Sequence, residues 1–215
     1  MVLIKRIEEQ GRSMIEMLGV LAIVGVLSVG GIAGFNRAMF TYRQMSLMTE
    51  LAEFIRDVMA YREEWRKLAV SSGASDAGVR IEEQIGMMGI LPKNWSYEKF
   101  SIYDSSNRCI TARVEQTGLV INYPLSNGNK RSKSDVRYTC RLLFERVALP
   151  YRDMITLLWI HKYGESGSGS GGRFMGEGYC SSDKNCLSAV TLSDIIEFCE
   201  TSIVDEHSTF VFRMR

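Results

Sequence analysis

The sequence predicts an α+β protein in which a long N-terminal helix packs on a small antiparallel-sheet head. Three observations predict it. No proline precedes Pro92, so nothing ahead of it forces a helix to kink. The 19 residues from Met17 to Phe35 carry no charge, and the helical period continues beyond them with a changed polarity. After Pro92, short β-rich stretches alternate with turn residues.

The apolar run sets the first element. At about 1.5 Å per residue it makes roughly 28 Å of helix, close to the hydrocarbon thickness of a bilayer. A soluble core helix of this length would carry a polar stripe, and Ser28 is the only overtly polar residue here. Residues 12–35 are therefore predicted to cross a membrane. A secretory signal peptide stays open, because Ser28–Gly34 supplies small residues of the kind found at its cleavage site. Upstream, residues 1–11 form a leader with Lys5, Arg6, Glu8 and Glu9, ending in Gly11-Arg12-Ser13-Met14-Ile15-Glu16. A carboxylate at the mouth of a span is expensive, so Glu16 is a functional candidate.

A glycine, four residues, a glutamate and an unbroken apolar run resemble the start of type IV prepilins and pseudopilins. The stretch GRSMIEMLGVLAIVGVLSVGGIAG, Gly11 to Gly34, is similar to one pilin-like group. The resemblance implies that a prepilin peptidase cuts after Gly11 and methylates the new amine of Arg12, where the family usually has an apolar residue. It implies that Glu16 pairs with the terminal amine of a neighbouring subunit during assembly. A carboxylate buried among helices needs a cation, and the cut creates one. The expected location is the bacterial inner membrane, single-pass with the head outside the cytoplasm, and afterwards a pilus or periplasmic pseudopilus. The expected partners are the peptidase, other copies and other pilin subunits, the inner membrane and the pilus assembly machinery. The alternative is a signal-anchored periplasmic binding or adaptor domain, in which Glu16 only marks the membrane boundary. A tethered enzyme is a further alternative.

Gly30 and Gly34 give a small-xxx-small spacing that permits close helix approach, and they also weaken the helix locally. From residue 36 to 70 the pattern turns amphipathic, with Leu47, Leu51, Phe54, Ile55, Val58, Trp65 and Leu68 at helical spacing. One continuous helix to about Val70 is expected, then a breaker-rich linker, residues 71–79. The head, residues 80–215, is expected to hold a helix over Arg80–Leu91 and strands at Ser101–Tyr103, Cys109–Val114 and Leu119–Tyr123. A helix over Ser134–Val147 follows. Met154–His161 reads as a strand, with a helix as competitor, and Thr209–Arg213 as a closing strand. Gly164–Gly178 reads as a Gly/Ser-rich mobile loop.

Five cysteines, Cys109, Cys140, Cys180, Cys186 and Cys199, all lie in the head, and the odd count leaves a thiol over. Cys109 on a strand and Cys140 on the next helix are one candidate pair. The pilin resemblance implies a disulfide-bounded loop near the C-terminus, with Cys180–Cys199 and Cys186–Cys199 both open. No C-x-x-C pair supports zinc, and His161 and His207 stand apart. Gly167, Gly169 and Gly172 match G-x-G-x-x-G with no apolar helix following, and Ser181–Lys184 matches S-x-x-K as a turn. Asn94-Trp95-Ser96 matches a glycosylation acceptor. A net charge of +1 argues against nucleic-acid binding as the main business. No catalytic constellation, cofactor or metal set emerges, so a structural subunit is expected and not an enzyme.

Overall fold

The computed structural model describes residues 14–73, 78–126, 132–161, 172–181, 185–203 and 208–215. The chain divides into two compact units, Met1–Arg43 and Gln44–Arg215. Helix α1, Met14–Met59, supplies the described part of the first unit and the first element of the second. In its later part Leu47, Met48, Leu51, Phe54, Ile55 and Val58 recur every three or four residues, and all are buried in the head.

α1 stops where the sequence predicts that it continues. The Tyr61 amide turns back to the Val58 carbonyl (3.2 Å), and the Trp65 indole donates to the same oxygen (2.8 Å). A carbonyl held this way leaves the regular ladder, so the amphipathic stretch resumes as a separate helix, α2, Arg62–Ser71. The periodicity hid the break because Trp65 and Ala69 still face the core. Of the expected linker, Ser71 belongs to α2 and residues 74–77 lie outside the described part.

The head continues with β1 (Val79–Arg80), α3 (Glu82–Met88), β2 (Ser96–Glu98), β3 (Ser101–Tyr103), β4 (Cys109–Glu115) and β5 (Gly118–Pro124). Then come α4 (Lys133–Leu143), which runs into a π turn over Phe144–Ala148, β6 (Ile155–His161) and β7 (Arg173–Met175). A 3₁₀ turn (Glu177–Tyr179), α5 (Leu192–Ser202) and β8 (Thr209–Met214) complete it. Ser132 caps α4 by accepting from the Asp135 amide, and Thr191 with Asp194 forms a reciprocal capping box on α5. The expected strand over Met154–His161 is present as β6. The expected loop over 164–178 is not all loop: residues 164–171 lie outside the described part, and Arg173–Met175 pairs with β6.

Among the described residues the strands form one antiparallel sheet in the order β2-β3-β4-β5-β8-β6-β7, with β1 also on β4. The last strand is thus internal. Alternation sorts each strand onto two faces. Ile110, Ala112, Ile121, Phe212, Leu158 and Phe174 face the core that α1, α4 and α5 complete. At its centre Phe144 meets Phe174, Phe198 and Phe210 edge to face at 5.4, 5.3 and 5.4 Å. The opposite face is laid out by register. One row runs Arg80, Arg113, Val120, Arg213, Leu157, Met175, and the next Thr111, Asn122, Val211, Trp159, Arg173.

The cysteines pair differently from expectation. Cys140 of α4 bridges Cys199 of α5, and Cys180 bridges Cys186. Cys109 is a free, exposed thiol. The sheet itself forbids the Cys109–Cys140 pair, because Cys109 alternates onto the open face while Cys140 lies in the core on the other side. Cys199 is buried against α4, which rules out both Cys180–Cys199 and Cys186–Cys199.

Candidate functional site

Taken alone, the first unit is a helix with no polar face. Every residue from Met14 to Ala38 is exposed, including Leu18, Val20, Leu21, Ile23, Val24 and Leu27. The window that is long and apolar enough to cross a membrane is 0% buried. A helix apolar all round is compatible with a single-pass membrane anchor, since each Leu, Ile or Val moved out of water gains about 1.5–3 kcal/mol. The backbone supplies its own hydrogen bonds, and Ser28 satisfies its hydroxyl on the Val24 carbonyl (2.7 Å). A Cβ added at Gly19, Gly25, Gly30, Gly31 or Gly34 would meet nothing within 4 Å, and of these Gly30 and Gly34, four residues apart, share a face that admits a close neighbour. Glu16 lies in the first turn of α1, near a helix N-terminus where an anion is favoured. Gly11 and Arg12, the predicted cleavage and methylation positions, lie outside the described residues. Further along α1, Arg37 stands 5.3 Å over the Phe40 ring.

The head fastens Gln44–Met59 of α1 with buried polar contacts that sequence reading missed. Arg108 is fully buried in the β3–β4 connection. Its Nη2 donates to the Gln44 amide oxygen (3.0 Å) and its Nη1 to the Tyr123 hydroxyl (2.5 Å). Tyr123 donates on to Asp104 Oδ2 (3.0 Å), whose other oxygen accepts the Arg108 amide (2.8 Å). Thr139 of α4 completes the set on Gln44 (3.0 Å). The Tyr123 hydroxyl links the Arg108 guanidinium to the Asp104 carboxylate, and burial pushes that hydroxyl well above its ordinary range, so it stays neutral. Six residues further along α1, Glu50 accepts from the Trp95 indole (3.0 Å) and Ser105 (2.6 Å), with Asn94 at 3.5 Å. The acceptor asparagine of the glycosylation match therefore faces a structural carboxylate.

None of this resembles catalytic machinery. Among the described residues no three of His, Cys, Asp and Glu are grouped to hold a metal ion. His161 is exposed at the end of β6, while His207 lies outside the described part. A cleft of about 730 Å³ lies between α2 and the β4–β5 turn, lined by Arg62, Arg66, Trp65, Glu115 and Tyr179. A second, of about 400 Å³, lies between α5 and β7 over Phe174 and Phe198. Asp194 lines it, but that carboxyl is committed to the cap. It accepts from the Thr191 amide and hydroxyl (2.8 and 2.7 Å), which holds its pKa below the usual range.

Fold and site thus define a chain with an apolar, uncovered helical segment and an α+β, disulfide-linked head. No family model, no curated protein and no solved structure matches it.

Proposed function

We propose that the chain is a structural subunit of a type IV pilus or related pseudopilus filament. The observation that carries this reading is a single carboxylate, Glu16, in an otherwise apolar helical segment with every side exposed. The reading also uses the sequence Gly11-Arg12-Ser13-Met14-Ile15 that precedes it. Before assembly the segment spans the inner membrane with the head outside the cytoplasm. Prepilin peptidase removes residues 1–11, and the new amine of Arg12 becomes the cation that Glu16 of a neighbouring subunit meets. In the filament the apolar segments cover one another in place of lipid, and an unpaired carboxylate there would cost several kcal/mol. That penalty favours the register in which carboxylate and amine coincide. The buried Cys140–Cys199 bridge supports a head that matures in an oxidising compartment.

The test is co-expression with a prepilin peptidase, followed by intact mass of the membrane fraction. The chain is expected to lose its first eleven residues, and Gly11→Val is expected to stay full length. A full-length product for the unaltered chain would instead identify a signal-anchored domain.

A further inference from the structure

The open face of the sheet is built unlike an ordinary solvated one. Val120 and Val211 on it are 0% and 2% exposed, although neither belongs to the core that the helices complete. Register explains how. Val120 lies directly between Arg113 and Arg213, whose aliphatic stems cover it while their guanidinium groups reach the surface. Both bind Glu115, at 3.0 and 2.8 Å. Arg80, opposite Arg113, binds Glu82 at 3.2 Å. The two carboxylates are 4% and 2% exposed, whereas the arginine side chains of Arg113, Arg213 and Arg80 are 29%, 30% and 62% exposed. Around Val120 solvent therefore meets arginines whose partner carboxylates lie beneath them, while Glu98, exposed, stands at the β2 edge of the face. Arg173, exposed on β7, extends it past Trp159.

We propose that this face binds a linear acidic polysaccharide, with Arg80, Arg113, Arg213 and Arg173 as its contacts. Charge complementarity carries the assignment: the four arginines exceed Glu82, Glu115 and Glu98, which its pairing with Ser101 puts on the same face, by one positive charge. Guanidinium groups bind sulfate and carboxylate through paired N–H donors. Strand spacing sets them roughly 5–10 Å apart across the sheet, a row suited to an extended chain. Two other occupants fit less well. Single-stranded nucleic acid wants aromatic faces for stacking, and Arg213 already stands 5.8 Å over the Trp159 ring. A protein partner wants an apolar centre, and the centre of this face is charged. The inference goes beyond filament assembly and does not depend on it, because every contact lies in the head.

The full chain in detergent is titrated with heparin and, separately, with single-stranded oligodeoxythymidylate, at several salt concentrations. Heparin is expected to bind more tightly, with an affinity that falls as salt rises. Arg173→Glu and Arg113→Gln are each expected to weaken it about two- to five-fold and to flatten its salt dependence. Arg173→Glu alters an exposed side chain and keeps the test valid if Arg113→Gln loosens the fold. Arg56→Gln, on the helix side of the head, is expected to change nothing. No binding of heparin at low salt, tighter binding of the oligonucleotide, or equal affinity in Arg173→Glu and the unaltered chain would each overturn the proposal.

Discussion

Removing the Cys140–Cys199 bridge should cost the head far more than removing Cys180–Cys186. The two bridges close loops of very different length, with sequence separations of 59 and 6. In the chain-entropy account these constrain the unfolded chain by about 4 and about 2 kcal/mol respectively. For a domain of this size each kcal/mol moves the midpoint by roughly 2–4 °C, so shifts of about 8–16 °C and 4–8 °C are expected. The perturbations are Cys140→Ala with Cys199→Ala, and Cys180→Ala with Cys186→Ala, each followed by thermal melts monitored by tryptophan fluorescence. Cys140 and Cys199 are both 0% exposed, so their replacement also disturbs packing between α4 and α5. Reduction of the Cys180→Ala, Cys186→Ala variant separates the two effects, because it opens only the Cys140–Cys199 bridge and leaves its sulfur atoms in place. Equal shifts for the two double variants would refute the loop-length argument. Peptide mapping that finds Cys109 in an intramolecular bridge would refute the pairing itself.

Three further outcomes follow from the same structure. Tyr123→Phe removes one acceptor from Arg108 and one donor to Asp104, and should lower stability by about 2–3 kcal/mol; an unchanged urea midpoint would show that the buried set is not stabilising. Asp194 titrates below the usual carboxylate range in the folded chain, so its contribution is complete above the unfolded value of about 3.9 and is lost as pH falls through the folded one. The stability gap between the unaltered chain and Asp194→Asn should therefore be constant above about pH 5 and shrink in more acid solution, which acid-unfolding curves at fixed temperature measure. Glu16→Ala should insert at least as readily as the unaltered chain but enter filaments poorly, with Glu16→Asp between them, read as the ratio of sheared-filament to membrane-fraction protein.

What the sequence disclosed and what it hid divide along a physical line. Cys109–Val114 and Leu119–Tyr123 were readable as strands to within a residue because alternation is a local signal. β2 was not, because its hairpin turns on Lys99 and Phe100 with φ of 49° and 63°, where asparagine and glycine would announce the turn. The Arg80 guanidinium holds that turn through the Phe100 carbonyl (3.0 Å), a tertiary contact with no local signature. α5 did have a signal, the Thr191–Asp194 box followed by Ile195, Phe198 and Cys199, with no glycine after Gly178 to interrupt it. Glu16 stood out as the lone carboxylate of its segment. The set on Arg108 could not be foreseen, since Gln44, Asp104, Tyr123 and Thr139 come from separate elements and meet only after folding.

The internal position of β8 also fixes the order in which the head can be completed. Strands β1 to β5 and strands β6 and β7 form two separate pieces that no described pairing joins except through Thr209–Met214. Until those residues are synthesised, Ile121 and Tyr123 on one piece and Leu158 and Ile160 on the other lack the neighbours that bury them. Closure then depends on contacts as remote as Leu119 with Met214, the kind that slows folding most. For that interval the nascent head presents two unsatisfied strand edges to its surroundings, and any chain of β-rich sequence nearby competes with β8 for them.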